Sequence, residues 1–377
     1  MNRWMTGSVL GVLAVTMSCS SPDAPTALQD VNAGAAARAQ AGVYLVTFSD
    51  DVTDVRGTAG SMAALNGFAI RSVREHAARG FSAMMSDQLA DRLRADSRVA
   101  IVEPDGPVSL IVPRAVARPG SGGGQSTPWG ITRVGGAGDG TGKTAWIIDT
   151  GIDLAHADLN TSRACHANFV ARGKDSPQDG NGHGTHVAGT VAAINNSIDV
   201  VGVAANAYVC AVRVLDNSGS GTWEGVVNGV NYVAANGVSG EVANMSLGGS
   251  GSNATLEKAV QDAAAKGIRF ALAAGNDGAF AGDFTPARTE GTNIYTISAI
   301  DVNDCMPSWS NWGNPPVDYA APGVSVLSTK KGGGTTTYSG TSMAAPHAAG
   351  VLLLGSAKTN GYAKCDPDGN PDPIVSR

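Results

Sequence analysis

The segment AWIIDTG, residues 145–151, decides the fold class, because an uninterrupted apolar run leads directly into Asp149, Thr150 and Gly151. A strand without polar alternation is buried on both faces, as in a parallel sheet covered by helices. Further segments of this character lie at residues 209–215, 242–247, 270–274 and 294–298. They alternate with helical segments, so the sequence predicts an α/β domain with a mostly parallel central sheet.

Polar side chains stand at the ends of three of these strands. Asp149 follows the apolar run of the segment quoted above, Ser246 lies near the end of its strand, and Asn276 follows closely after another. In open parallel sheets, ligand sites gather at the carboxyl ends of the strands. The sequence therefore predicts one functional site at this edge of the sheet, in a domain that we place at residues 128–377.

Two glycine-rich motifs carry residues that suit nucleophilic catalysis. NGHGTHVAGT, residues 181–190, places His183 where a loop enters a helix, and GTSMAAPH, residues 340–347, places Ser342 at the start of an apolar helix. A serine hydroxyl needs a neutral imidazole to accept its proton, and a buried carboxylate must orient the imidazole. We therefore interpret Asp149, His183 and Ser342 as a catalytic triad.

With these motifs in this order, the chain resembles the subtilisin-like serine proteases (peptidase S8 family), closest to the proteinase K branch, over residues 128–375. The resemblance implies a three-layer α/β fold and a serine endopeptidase with an acyl-enzyme mechanism, which needs no cofactor for its chemistry. AAGN, residues 273–276, resembles the family's oxyanion segment. Asn276 would then donate its side-chain amide to the tetrahedral intermediate, together with the backbone N–H of Ser342.

The resemblance also implies where a substrate binds. Two backbone edges would hold an extended peptide by main-chain hydrogen bonds, which give affinity with little side-chain selectivity. Small uncharged residues would line the S1 pocket and an aromatic residue the S4 pocket, so we expect broad specificity with an apolar or aromatic P1 residue. The implied residues are Gly219, Ser220, Gly221 and Trp223 at one edge, Ser246, Leu247 and Gly248 at the other, and Ala273, Ala274 and Gly275 in S1.

A calcium site is implied by the same resemblance. Its ligands would be Pro286, the backbone carbonyl of Arg288 and the side chain of Asp318. Carbonyl and carboxylate oxygens are the ligands that calcium prefers. We therefore expect a structural calcium ion. The resemblance also implies a monomer that acts on polypeptides.

Residues 41–112 are predicted to form a small α+β domain before the main one. Apolar and β-branched runs at 43–48, 80–85 and 99–105 indicate strands, and Ser86 is suited to cap the helix that follows it. This domain resembles the family's inhibitory propeptide (inhibitor I9 type). It would assist folding, lay its C-terminal tail in the active site and act as an intramolecular inhibitor.

The remaining segments are assigned by composition. Residues 1–19 indicate an export signal, whose apolar run is too short to span a membrane, and 20–40 a flexible leader. Cys19 follows a sequence similar to a bacterial lipobox, so lipid attachment and ordinary signal cleavage both remain open. Residues 113–127 have a linker composition, and we expect autocleavage there, with a mature N-terminus within 117–125 and a secreted enzyme.

Cysteine content and charge fit an exported enzyme. Apart from Cys19, four cysteines remain, which allows three pairings, of which we favour Cys165–Cys210 with Cys305–Cys365. The formal net charge is −6 and no basic stripe occurs, so nucleic acid is not an expected partner.

The alternative to an enzyme is an inactive, secreted binding module with the same fold. The presence of the triad Asp149, His183 and Ser342 together with Asn276 favours the enzyme. A hydrolase of the esterase type is disfavoured, because the sequence has no Gly-x-Ser-x-Gly elbow.

Overall fold

The computed structural model describes residues 41–111, 113–115, 124–170 and 176–377. The predicted signal segment, Cys19 and the leader lie outside these ranges. Within them, no helix is both long and apolar enough to cross a bilayer.

The N-terminal unit is a small antiparallel sheet that carries two helices. Its strands follow the order β2-β3-β1-β4. Ser86 accepts a hydrogen bond from the backbone N–H of Leu89 and so caps the second helix, as its sequence indicates. The elements are β1 (Gly42–Phe48), α1 (Val55–Asn66), β2 (Ile70–Arg74), β3 (Gly80–Met85), α2 (Asp87–Arg94) and β4 (Val99–Pro104).

Beyond this unit the chain continues through two short strands, β5 (Pro107–Leu110) and β6 (Arg114–Ala115), into the C-terminal domain. That domain contains α3 (Trp129–Arg133), β7 (Gly138–Asp139), β8 (Thr144–Asp149), β9 (Ala167–Asn168), α4 (His183–Ala192), β10 (Ala204–Ala205), β11 (Tyr208–Arg213), β12 (Ser220–Thr222), α5 (Trp223–Asn236), β13 (Val242–Met245), β14 (Leu247–Ser250), α6 (Ala254–Ala265), β15 (Arg269–Ala273), a 3₁₀ turn (Ala281–Asp283), β16 (Phe284–Thr285), β17 (Ile294–Ile300), β18 (Val317–Pro322), β19 (Val326–Thr329), β20 (Thr335–Ser339), α7 (Thr341–Leu354), β21 (Lys358–Tyr362) and β22 (Pro373–Ser376).

The central sheet of the C-terminal domain has nine strands in the order β21-β22-β18-β17-β15-β13-β8-β11-β9. Every neighbouring pair is parallel except β21 with β22, at one edge. The predicted parallel sheet is therefore confirmed. Because β8, β13 and β15 are neighbours, their carboxyl ends lie side by side, which is where Asp149, Ser246 and Asn276 follow.

Helices cover both faces of this sheet, which makes three layers. Ile147 of β8 packs in a core cluster with Val187 of α4 and Met343 of α7. Its neighbour Trp146 points to the other face and packs in a cluster with Val226 of α5 and residues of α6. Successive side chains of a strand alternate between faces, so an uninterrupted apolar run is what two covered faces require.

Both favoured disulfides are present. Cys165 is bonded to Cys210 at the start of β11, and Cys305 to Cys365 near the C-terminus. The structure confirms this pairing among the three that the sequence allows.

Candidate active site

Asp149 and His183 form a buried pair at the carboxyl edge of the sheet. Asp149 is the last residue of β8 and His183 the first of α4, and both are almost fully buried. The ring Nδ1 of His183 lies 2.8 Å and 2.9 Å from the two carboxylate oxygens of Asp149. This contact fixes the tautomer that carries the proton on Nδ1 and leaves Nε2 as the basic nitrogen.

Opposing effects set the proton affinity of His183. Burial lowers the pKa of its imidazole, but the charge and hydrogen bond of Asp149 and the charge of Asp179 outweigh burial and raise this pKa above its usual value. The imidazolium is therefore stabilised, as a base that accepts a proton during a reaction requires.

Ser342 lies in the first turn of α7, behind the cap residue Gly340. Its hydroxyl lies 3.0 Å from the carbonyl oxygen of Ile111 and 3.3 Å from that of Ser246, and it bonds to both. The expected third contact of the triad, from this hydroxyl to His183, is not made. Among the described parts of the chain, His183 Nε2 has no hydrogen-bond partner. The Ser342 hydroxyl is therefore directed at backbone carbonyl oxygens rather than at the imidazole.

Asn276 lies beside Ser342, as the predicted oxyanion segment requires. Its Oδ1 accepts hydrogen bonds from the backbone N–H of Thr341 at 2.9 Å and from the Thr341 hydroxyl at 3.0 Å. These two bonds orient the amide, so that its Nδ2 lies on the opposite side, next to Gly340. The side chain also lines the main cavity of the site.

The cleft next to these residues is filled by the chain itself. Strand β5 lies between β12 and β14 and pairs antiparallel with both. Ser109 pairs with Ser220 on one side and with Gly248 on the other. The backbone N–H of Leu110 donates to Gly219, and that of Ile111 approaches Ser246 at 3.5 Å. The two predicted binding edges thus hold an extended segment by main-chain contacts.

Side chains of β5 pack against the predicted edge that contains Gly219 and Trp223. Val108 lies in the same buried cluster as Trp223, the predicted S4 residue. Gly219 has a φ of +81°, and a Cβ built there would lie 2.0 Å from the Leu110 side chain. The lack of a side chain at Gly219 therefore allows both the positive φ of the turn and the close approach of β5.

A cavity of about 560 Å³ opens beside Ile111. Ala273, Ala274 and Gly275 line it, as expected for an S1 pocket, together with Phe284. Among its described lining residues, exposed Asp277 is the one with a charge. The space next to an isoleucine is large enough for a larger apolar side chain.

Two of the predicted calcium ligands accept hydrogen bonds from backbone N–H groups. The carbonyl oxygen of Pro286 accepts a bond from Thr289 at 2.8 Å, and Asp318 accepts one from Thr296 at 2.8 Å. No group of three or more metal-ligating His, Cys, Asp or Glu side chains occurs in the described ranges. Calcium at Pro286, Arg288 and Asp318 stays a prediction.

The sequence motifs did not single out three residues that the structure places in the site. Ile111 faces the serine, and Thr150 and Asp179 bond to the backbone around His183. The only sequence signal for the last two is their position within four residues of Asp149 and His183.

A buried aspartate–histidine pair and a serine at a helix N-terminus, all at one edge of a parallel sheet, form the arrangement that serine hydrolases use. This chain belongs to the subtilase family, since that family's model (Peptidase_S8, Subtilase family) matches residues 140–364. It is 41% identical over 306 residues to alkaline serine exoprotease A of Vibrio alginolyticus, which covers 78% of this chain and 54% of that protein. The chain thus spans about half the length of that relative.

Other relatives agree with this assignment. Over 245 residues, the chain is 44% identical to subtilisin Savinase of Lederbergia lenta, which covers 63% of this chain and 87% of that protein. A solved cold-adapted subtilisin-like serine proteinase superposes with a TM-score of 0.59 at 38% identity, covering 66% of this chain and 97% of the other. The predicted family and fold are confirmed, and the placement in the proteinase K branch stays a prediction.

Proposed function

We propose that this protein is a secreted serine endopeptidase that is made as a self-inhibited precursor and acts as a monomer on polypeptides. One observation carries the proposal: the carbonyl oxygen of Ile111, the residue that follows β5, lies 3.0 Å from Ser342 Oγ, beside the Asp149–His183 pair.

The geometry supports acyl transfer in two steps. Ser342 Oγ attacks the carbonyl carbon of the bound peptide while His183 Nε2 takes its proton, and Asp149 stabilises the imidazolium. Asn276 Nδ2 and the backbone N–H of Ser342 stabilise the oxyanion. His183 then protonates the leaving amine, and water hydrolyses the acyl-enzyme by the same route in reverse.

Endopeptidase activity is favoured because the cleft holds chain on both sides of Ser342. Strand β5 occupies one side, between β12 and β14, and β6 pairs with β20 on the other. A substrate must therefore extend in both directions from the reacting bond. The roomy cavity lined by small residues supports an apolar or aromatic side chain at P1.

The N-terminal unit supports the role of an inhibitor, because it satisfies groups on the enzyme's helices. Glu103 accepts bonds from the first backbone N–H groups of α6, and Asp105 accepts one from Glu224 in the first turn of α5. Carboxylates stabilise helix N-termini. Arg71 also forms a 3.0 Å ion pair with the nearly buried Glu224. These contacts hold β5 in the cleft.

The same geometry favours a cleavage site other than the one that composition predicts. The carbonyl next to Ser342 belongs to Ile111, so the bond poised for attack is Ile111–Val112. The sequence predicts a mature N-terminus within 117–125. Residues 117–123 of this range lie outside the described residues.

We predict that the first processed form begins at Val112. Purified precursor should be allowed to mature for short times and its N-terminus determined by intact-mass spectrometry and terminal sequencing. Ile111→Asp should slow this cut at least about tenfold, because a carboxylate would be placed against an apolar cavity. As a control, the exposed Met84→Asp in the N-terminal unit should mature at the wild-type rate. A first product that begins within 117–125 would contradict the assignment.

Activity should depend on pH through His183. Because a neutral imidazole is needed and its pKa is raised, kcat/KM should rise with pH, with a midpoint above about 6.5. Hydrolysis of an internally quenched peptide with phenylalanine at P1 measures this, and a fluorophosphonate probe should label and inactivate the same protein. A flat profile, or no labelling, would instead favour the inactive binding module.

A further inference from the structure

Asp179 is a buried carboxylate that the reaction described above does not use. It is 3% exposed and lies four residues before His183. One oxygen accepts bonds from the backbone N–H groups of Asn181 and Gly182, both at 2.8 Å. The other accepts the backbone N–H and the hydroxyl of Thr185, at 3.0 Å and 2.6 Å.

These bonds make Asp179 the cap of the helix that carries His183. The residue at the cap position of α4 is Gly182, whose lack of a side chain leaves the first turn without a cap of its own. Asp179 supplies the missing acceptor from three residues upstream. Its charge also favours the positive end of the helix dipole.

Asp179 is also linked to the strand that carries Asp149. The hydroxyl of Thr150 donates to Asp179 at 3.0 Å and accepts the backbone N–H of Gly184 at 3.0 Å. The backbone N–H of Thr150 donates to the Asp149 carboxylate at 2.7 Å. A continuous set of bonds therefore runs from one member of the Asp149–His183 pair to the other.

The charges around His183 differ in sign and distance. Asp149 bonds to the ring directly and Asp179 acts on it through space, while His186 lies one turn further along α4.

The nearby cations are bonded to other groups. Arg213, paired with Asp149 in the sheet, directs its guanidinium to Ser176, Leu215 and Asn217. Lys331 donates to the carbonyl oxygen of Gly180. In the described parts of the chain, Asp179 has no ion pair with a cation that would neutralise it.

We propose that Asp179 is a positioning residue of the catalytic centre, a second carboxylate that holds His183 against Asp149 and favours its protonated ring. The proposal rests on the function proposed above. It predicts two separable effects: loss of the charge lowers the pKa of His183, and loss of the bonds to Thr150 lowers kcat.

The charge effect is measured without proteolysis. In the full-length Ser342→Ala protein, the pKa of His183 is read by NMR from the downfield proton shared between its Nδ1 and Asp149. Adding Asp179→Asn should lower this pKa by roughly half a pH unit or more. The titration stays readable if the protein is not a peptidase, so failure of the two proposals can be distinguished.

Asp158→Asn is the matched control, because Asp158 is also fully buried and accepts bonds from Asn196 and the backbone of Val200. This control should leave the pKa of His183 and the peptidase activity unchanged. A pKa of His183 that is equal in the Asp179→Asn and Asp158→Asn proteins would overturn the proposal.

Thr150→Val tests the link between the end of β8 and the start of α4. It also tests the proposal if Asp179→Asn does not fold. It removes one hydroxyl and keeps both carboxylates. In the otherwise native protein, kcat should fall about tenfold with KM within about twofold of wild type, since a small displacement of a catalytic group is costly. A wild-type kcat in Thr150→Val would overturn the proposed link.

Discussion

Replacing Ser342 with alanine should abolish peptidase activity and leave the precursor uncut. The substitution removes the nucleophile, and in subtilisin itself loss of the triad serine is known to lower kcat by about 10⁶-fold. The expected loss here is of the same order. Because the Ile111 carbonyl already lies 3.0 Å from Ser342 Oγ, the same hydroxyl is expected to cut the chain's own peptide. Expression in a protease-deficient host, followed by mass spectrometry, should show the intact chain.

A buried serine outside the site provides the control. Ser298 lies in β17 and donates its hydroxyl to Asp372. Ser298→Ala should mature and hydrolyse peptides at close to the wild-type rate. Thermal unfolding of Ser342→Ala should resemble that of wild-type precursor, which would show that the loss is chemical. Maturation of Ser342→Ala at the wild-type rate would refute self-processing.

The sequence predicted the central sheet well because the decisive signal is local. The strands around Trp146, Cys210, Ala243 and Phe270 are apolar on both faces, and only a sheet covered by helices satisfies such strands. The proposed catalytic residues could also be found from the sequence, because each lies in a glycine-containing motif next to a strand or helix end.

Helix α1 and strand β5 were not predicted from the sequence. The sequence did not indicate α1, where Gly57 and Gly60 interrupt a weak apolar pattern. Strand β5 was missed because its hydrogen bonds are made to β12 and β14, more than 100 residues further along the chain. Without that register, Ile111 could not be identified as the residue facing Ser342. The expected cut in the linker rests on composition alone and stays a prediction.

The sequence also could not predict the hydrogen bonds of buried polar groups. Asp179 carries no motif, and its role depends on backbone N–H groups whose directions only the folded loop defines. The calcium prediction rests on a sequence pattern alone and stays a prediction. Pro286 and Asp318 match a pattern in the chain, yet each already accepts a backbone hydrogen bond.

The second large effect is expected at Asn276. Replacing it with alanine should lower kcat by about 10²–10³-fold with KM within about threefold of wild type, the range established for the oxyanion asparagine of subtilisin itself. The physical reason is that Nδ2 binds the oxyanion more strongly than the ground-state carbonyl, so that its loss raises the barrier and leaves substrate binding intact. Steady-state kinetics on the quenched peptide measure both constants.

Asn276→Asp distinguishes oxyanion stabilisation from a structural role. Aspartate retains an oxygen for the two bonds from Thr341, so it should preserve the local structure better than alanine does. However, it replaces the Nδ2 donor with a negative oxygen, which repels the oxyanion. If Asn276 acts on the transition state, kcat must therefore fall further in Asn276→Asp than in Asn276→Ala. If Asn276 only supports Thr341, aspartate must be the milder change, and the assigned role would be wrong.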